Sequence, residues 1–154
     1  MSILTEDMKR VVRDQRLGFI ATVCPDGTPN LSPKGTTTVW DDDHLIFGDI
    51  RSPVTMANLR HNPAIEINVL DVFLRKGYRF KGEATILTEG PQYEAMMVRY
   101  EPRGLHNTIG AIVLVKVKRA LPLVSPGYDG GASEDEVRQE WTQYWHTLNP
   151  KVDI

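Results

Sequence analysis

Short apolar runs separated by turn residues make up the first three quarters of the chain. Strand-like runs lie at 19–23, 30–40, 44–48, 64–70, 78–87 and 109–120. Asp26-Gly27 lies between the first two runs, and Asp-Gly between two strands is a strong hairpin signal. Short strands that follow one another by turns favour an antiparallel sheet or barrel over a doubly wound parallel sheet. Gly82 interrupts the run at 78–87 and predicts a bulge or sharp bend there.

Helix start signals flank these runs. Thr5 predicts the cap of a first helix, and Ser52 followed by Pro53 has the pattern of an N-cap and a first helical residue. Pro91 predicts a third helix that extends to about Tyr100 and carries a stripe of Met and Tyr, typical of core or subunit contacts. We therefore expect a mainly β protein with flanking helices.

The last thirty residues differ from the rest of the chain. Residues 125–133 are rich in Gly, Pro and Ser and predict a flexible linker. Ser133 and Glu136 have capping-box spacing and predict a final helix to about residue 148. Its narrow aromatic face needs a surface to cover: its own barrel, a partner subunit or the edge of a ligand site. The expected organisation is a barrel domain over 1–124, followed over 125–154 by a linker and an amphipathic helix that packs on the barrel or the partner.

Composition narrows the classes of partner. A net charge of -2 does not favour a nucleic-acid partner held by bulk charge. The chain shows no apolar run of membrane-spanning length, and its first residues do not resemble a signal peptide, so we expect no membrane partner. The single cysteine, Cys24, is compatible with a reducing cytoplasm. The four histidines have no metal-ligand spacing, so we expect a cytoplasmic protein without a metal.

The first stretch with candidate chemistry is polar where a plain strand would alternate apolar residues. It contains Ser32, Pro33, Lys34, Gly35 and Thr36. Proline cannot donate to a strand ladder, so this part is predicted to lie at an edge, a bulge or a strand end. The glycine allows another group to approach the backbone, and the lysine adds a positive charge beside hydroxyls. The set suits an anionic, planar ligand lying on a strand; the alternative is an ordinary solvated hairpin arm.

The second candidate stretch is the start of the helix predicted at Ser52. The first turn of a helix has free backbone N–H groups and the positive end of the helix dipole. Arg51, Ser52 and Thr55 lie at that end. This arrangement predicts a phosphate-binding site. The alternative is a capped helix that only connects two strands.

The order and spacing of several motifs resemble the FMN-binding split barrel, the superfamily of pyridoxamine 5'-phosphate oxidase. The resemblance covers roughly residues 8–122. It is carried by segments 18–22, 31–35, 57–63, 80–84 and 88–93, with the Asp26-Gly27 turn. The last segment, a strand followed by Glu-Gly-Pro-x-Tyr, looks especially like the small bacterial FMN-binding proteins of this superfamily.

The resemblance implies a six-stranded antiparallel Greek-key split β-barrel that forms a homodimer. One FMN would lie in each of two clefts between the subunits, with its ring and ribityl chain on the strand at 32–36 and its phosphate near Ser52. The cofactor-binding residues implied are Ser32, Pro33, Lys34, Gly35, Thr36, Asp49, Ile50, Arg51, Ser52, Thr55 and Asn58.

One departure from the family pattern concerns the phosphate. The oxidases carry Arg-Lys at positions near Val54-Thr55, which are uncharged here, so Arg51 or Lys34 would have to neutralise the phosphate. The resemblance implies an FMN-dependent oxidoreductase of unknown substrate, with a small molecule or a protein as redox partner. Two alternatives remain open: an FMN-binding electron-transfer or flavin-carrier protein, and a module that has lost the cofactor. The sequence identifies no catalytic residue.

Overall fold

A computed structural model describes residues 2–154 as one sheet flanked by helices. The strands are β1 (Gly18–Val23), β2 (Pro29–Lys34), β3 (Thr38–Val39), β4 (His44–Asp49), β5 (Ala64–Asp71), β6 (Lys76–Leu87) and β7 (Ala111–Val124). The α-helices are α1 (Glu6–Gln15), α2 (Pro53–His61), α3 (Pro91–Met97) and α4 (Glu134–Leu148), and two 3-10 helices span Val98–Arg103 and Pro126–Tyr128. None of the helices within residues 2–154 has the length and apolar character needed to cross a bilayer.

The sheet is antiparallel throughout and curls into a half-barrel. Its strand order is β2-β1-β5-β6-β7-β4-β3, so the two edge strands are consecutive in the chain. Residues 35–37, here called the edge link, join them. A flat sheet of this size would be about 29 Å wide, whereas the link spans at most about 15 Å between Cα atoms. The two edges must therefore come round toward each other.

The structure has seven strands, and the expected number of six was wrong. The predicted run at 30–40 is not continuous, because β2 ends at Lys34, which pairs with Gly18 of β1. The backbone N–H of Thr37 and its Oγ1 then both donate to the Lys34 carbonyl, at 3.3 and 2.8 Å, and form a turn. After the turn, Thr38 and Val39 pair with β4 as a separate short strand. The mainly antiparallel sheet with flanking helices is confirmed.

Apolar side chains on the two faces of β4 pack into two separate clusters. Phe47 points into the barrel with Ile20, Ile67 and Phe80, and α1 covers this cluster with residues that include Val12. Ile46 points the other way, into a cluster made by α3, the 3-10 helix Val98–Arg103 and β7, which includes Met96, Met97, Tyr100 and Ile112. The core interpretation of the Met and Tyr stripe is confirmed. This second cluster brings Tyr100 beneath the edge link.

The bulge predicted at Gly82 is confirmed. The register of β6 against β7 shifts between Lys81 and Gly82. A Cβ atom at Gly82 would lie 2.2 Å from the Lys116 carbonyl oxygen, so only glycine allows β7 to approach this closely. The bulge bends β6 and helps the sheet to curl.

Helix α4 begins at the predicted capping box and lies on the turn between β5 and β6. Ser133 and Glu136 make both capping-box hydrogen bonds. The Arg75 guanidinium lies 3.3 Å from the centre of the Trp141 ring, and Lys76 pairs with Glu134 at 2.8 Å. Before the helix, the Tyr128 hydroxyl donates to the Leu74 carbonyl at 2.6 Å. These contacts tie the C-terminal segment to the β5–β6 turn.

Candidate functional site

The two polar stretches found in the sequence are adjacent in the structure. Thr36 in the edge link donates its hydroxyl to the Gly48 carbonyl at 2.8 Å and accepts the Gly48 N–H at 3.0 Å. On the other side of the stretch, the Asn30 amide donates to the Thr55 hydroxyl at 3.4 Å. The end of β2, the end of β4 and the start of α2 therefore form one continuous polar region.

Two residues that follow α3 hold the edge link, the buried Tyr100 and the exposed Arg103. The Tyr100 hydroxyl donates to the Thr36 carbonyl at 2.8 Å, and Arg103 donates to the Gly35 carbonyl at 2.9 Å. Burial raises the pKa of the Tyr100 phenol, so this hydroxyl stays protonated and keeps donating. The backbone of the link is thus fixed by contacts from a distant part of the chain.

Lys34 is a buried cation without a carboxylate partner. The residue is 8% exposed, and its ammonium donates to the Ser32 hydroxyl and, at 3.4 Å, to the Pro33 carbonyl. Among residues 2–154, no carboxylate lies within 4.0 Å of this ammonium. Burial lowers the pKa of Lys34, and the charge of Asp49 offsets part of this effect. Asp49 offsets only part of the cost of burial, so the position favours a further negative group in direct contact with the ammonium.

Asp49, at the end of β4, has unused hydrogen-bonding capacity. Its Oδ1 is shielded from solvent and has no hydrogen-bond partner among residues 2–154. A buried carboxylate oxygen without a donor is costly, and such atoms are rare in native proteins. An outside group that carried an N–H donor would satisfy this oxygen. Lys34 and Asp49 together thus offer a donor and an acceptor of opposite charge.

Neither of the two usual structural requirements for glycine, a left-handed backbone or a lack of space for a side chain, applies at Gly35. Its φ is outside the left-handed region, and a Cβ atom built on it would meet no atom of the described chain within 4 Å. Neither backbone conformation nor crowding therefore requires glycine here. The missing side chain leaves the outer side of the link open, which suits a flat group that lies against the backbone.

The start of α2 keeps a hydroxyl and backbone donors free. Ser52 is the N-cap and Pro53 the first helical residue, as predicted. Ser52 is 8% exposed, yet its hydroxyl makes no capping hydrogen bond. The first helical bond is donated by Met56, so the N–H groups of Val54 and Thr55 have no partner in the helix. A hydroxyl and two amides at a positive helix end suit an anion.

The other predicted residues of this region lie in two different environments. Ile50 and Arg51 are exposed at the surface beside the helix start. Asn58 is buried, and its amide donates to the Thr22 hydroxyl at 3.0 Å and to the Cys24 sulfur at 3.4 Å. Asn58 thus attaches α2 to β1, while Ile50 and Arg51 face outward.

Sequence reasoning missed Tyr100 and Arg103, which hold the edge link. The sequence pattern places Tyr100 only in an apolar stripe and Arg103 only in a loop. A signal was present for Tyr100, because a buried tyrosine hydroxyl usually requires a hydrogen-bond partner. The identity of that partner, the Thr36 carbonyl, depends on the fold.

Comparisons with known proteins identify the fold and the family. The family model of pyridoxamine 5'-phosphate oxidase matches residues 4–120. The structure of HupZ from Group A Streptococcus is 35% identical, with a TM-score of 0.72, and the match covers 79% of this chain and 95% of that one. An FMN-binding protein from Syntrophomonas wolfei is 19% identical, with a TM-score of 0.67, and the match covers 78% of this chain and 86% of that one. Among the curated proteins, none matches. The chain belongs to the pyridoxamine 5'-phosphate oxidase family.

Proposed function

We propose that this chain is an FMN-binding oxidoreductase, with the flavin on the outer side of the edge link. The observation that carries the proposal is the buried ammonium of Lys34, which has no carboxylate within 4.0 Å among residues 2–154. Lys34 precedes Gly35, whose outer side is open, and the charge of Asp49, whose Oδ1 has no hydrogen-bond partner among residues 2–154, acts on its ammonium. When bound, FMN would supply the redox-active ring, and the protein would supply position and electrostatics.

Lys34 and Asp49 would contact different polar groups of the flavin ring. Lys34 would donate to an electron-rich edge of the ring and favour negative charge there. Asp49 would accept a hydrogen bond from a ring N–H group, which satisfies its buried oxygen. Both groups lie at strand ends whose geometry Thr36 and Tyr100 fix, so the site is largely preorganised.

The phosphate would bind at the start of α2. Ser52 and the free amides of Val54 and Thr55 supply hydrogen bonds there. Arg51 is exposed beside them and forms no ion pair within 4.0 Å in the described part of the chain, so its charge is available to the phosphate. This cation would replace the Arg-Lys pair that the oxidases carry.

A homodimer with the flavin between subunits is part of the proposal. Large apolar side chains are exposed next to the polar region: Leu31 is 66%, Val54 52% and Ile50 47% exposed. Exposed apolar residues grouped around a polar site are typical of an interface. A partner that covered them would also exclude water from the ring, which strengthens the electrostatic contribution of Lys34.

Flavin retention tests the proposal. Purified protein incubated with FMN and then desalted is expected to keep FMN in equimolar amount, visible as the absorbance of oxidised flavin. Riboflavin, which lacks the phosphate, is expected to bind more weakly because it cannot form the hydrogen bonds proposed at the start of α2. Folded protein that leaves the column without flavin absorbance would contradict the proposal.

Gly35→Ala is expected to weaken FMN binding while leaving the stability of the protein almost unchanged. The new methyl group meets no atom of the chain, so the free energy of unfolding should change by no more than about 1 kcal/mol. The same methyl group occupies the space proposed for the flavin ring, so the dissociation constant for FMN should rise. Urea unfolding and flavin fluorescence titration measure the two effects. Unchanged FMN affinity would place the ring elsewhere.

A further inference from the structure

The two halves of helix α4 are attached to the barrel to different degrees. In the first half, Val137 is buried and the Trp141 ring stacks on the Arg75 guanidinium of the β5–β6 turn. In the second half, the Thr147 hydroxyl donates to a carbonyl of the helix itself. No side chain of residues 142–148 forms an ion pair within the described residues 2–154. The contacts that fix α4 are therefore concentrated in its first half.

One apolar stripe runs along both halves of the helix. It consists of Val137, Trp141, Tyr144 and Leu148, whose spacing places them on one face. In the second half the stripe is open to solvent, because Tyr144 is 48% and Leu148 56% exposed. The Tyr144 ring meets the rings of Trp141 and Trp145 edge-on, with centroids 5.3 and 5.5 Å away. The barrel thus covers the beginning of the stripe and leaves its end uncovered.

The uncovered part of the stripe belongs to a larger apolar surface. Val124, at the end of β7, is 55% exposed and lines a cavity of about 300 Å³ together with Arg75, the residue that stacks on Trp141. We call the surface formed by Val124, Trp141, Tyr144, Trp145 and Leu148 the C-terminal patch. All of these residues follow residue 120, where the match to the family model ends. Grouped exposed apolar side chains are typical of an interaction surface.

The charges of α4 favour an antiparallel pair of two such helices. All carboxylates of the helix lie in its first half, and residues 141–148 have none: Glu134, Asp135, Glu136 and Glu140. In a parallel pair the two acidic halves would lie side by side and repel each other. An antiparallel pair centred on Tyr144 and Leu148 keeps them apart and opposes the two helix dipoles. It also brings Lys151 of each copy toward Glu140 of the other, so the charges are complementary.

We propose that the C-terminal patch is an interface between two copies of this chain, whose α4 helices pair antiparallel about a two-fold axis. Such a contact is self-complementary, because the same apolar patch covers itself in both copies. A buried aromatic side chain contributes about 150–250 Å², so two patches bury on the order of 1,000 Å², near the lower limit of a specific interface. The association is therefore expected to be reversible. If the proposed flavin dimer forms, this contact joins two dimers; otherwise it joins two monomers.

Sedimentation velocity of the full-length protein over a range of concentrations tests the proposal. The wild type is expected to form a species of twice the mass of Tyr144→Ser/Leu148→Ser. In this double variant the dissociation constant of the pair should rise by about tenfold or more, because the centre of the patch is lost. Both side chains are exposed, so the variant should keep the far-ultraviolet circular dichroism of the wild type. Gln143→Ser, at an exposed position on the opposite face of α4, is the matched control and should associate as the wild type does.

Each outcome decides for or against the interface. A halved mass in the double variant, with the wild-type mass in Gln143→Ser, supports it. Equal masses of the wild type and the double variant at every concentration overturn it. Loss of helical signal in the double variant also overturns it, because the two side chains would then stabilise the single chain. A double variant that loses FMN retention together with association overturns it as well, because the patch would then belong to the flavin site. Wild type that doubles in mass but binds no FMN refutes only the proposed function.

Discussion

Lys34→Met is expected to weaken FMN binding by at least about tenfold while the free protein stays as stable as the wild type or becomes more stable. The ammonium is the buried cation proposed to contact the flavin ring, so its loss removes a charged hydrogen bond from the complex. In the free protein the same charge is unfavourable, because burial lowers its pKa. Flavin fluorescence titration and urea unfolding measure the two effects.

The pH dependence of stability tests separately whether the pKa of Lys34 is lowered in the folded protein. Its pKa in the folded protein is below the ordinary value of 10.5, so between those two pKa values the unfolded chain binds more protons. The stability of the wild type should therefore gain a contribution as pH rises through this window, and Lys34→Met should lack it. Lys116→Met, at an exposed position on β7, is the control and should keep it. Equal FMN affinity in Lys34→Met and the wild type would remove Lys34 from the site.

Gly77→Ala is expected to lower the free energy of unfolding by several kcal/mol, on the order of 3 kcal/mol or more. A Cβ atom there would lie 2.0 Å from the Val69 carbonyl oxygen and 2.8 Å from the Leu70 Cα. Both are backbone atoms of β5, which pairs with β6 at this point, so neither can move away without a break in the ladder. Urea unfolding or the yield of folded protein measures the effect.

The matched control for Gly77 is Gly110→Ala. Gly110 also has a φ outside the left-handed region, but a Cβ atom there would meet nothing within 4 Å. Its substitution should change stability by no more than about 1 kcal/mol. Similar losses in both variants would show that the effect comes from the general cost of replacing a glycine and not from the contact with β5.

Local signals in the sequence were sufficient for the ends of several elements. Thr5 accepts the Met8 N–H and caps α1, and Ser133 with Glu136 forms the capping box of α4. Such caps involve residues within one turn of each other, so the sequence contains both partners at a readable spacing. The Gly82 bulge was readable for a similar reason, since a glycine inside a strand pattern usually marks a bulge or a close approach of another backbone.

Long-range contacts account for what the sequence did not reveal. Pro33 predicted an edge, a bulge or a strand end here, and β2 is indeed an edge strand that ends at Lys34. The sequence did not predict that a separate strand follows on the opposite edge of the sheet, because the edge link is held by Gly48 and Tyr100, which are distant in sequence. The predicted helix from Pro91 to Tyr100 likewise changes to a 3-10 helix at Val98, where the chain turns back to the link. For the candidate site, the polar composition of the two stretches predicted where to look. Their adjacency and the unpaired state of Lys34 and Asp49 required the three-dimensional structure.

The position of the edge link has a consequence for folding kinetics. Both edges of the sheet meet at this link, but the interior pairings are non-local: Phe19 with Asn68, and Asp49 with Ala111. A topology with such distant pairs folds slowly, and the link takes its final geometry only after they have formed. A ligand that contacts the edge link would therefore bind only the folded protein, in which the two edges of the sheet have come together. By mass action such a ligand raises the population of folded protein. The observed rate of unfolding should therefore fall as the ligand concentration rises.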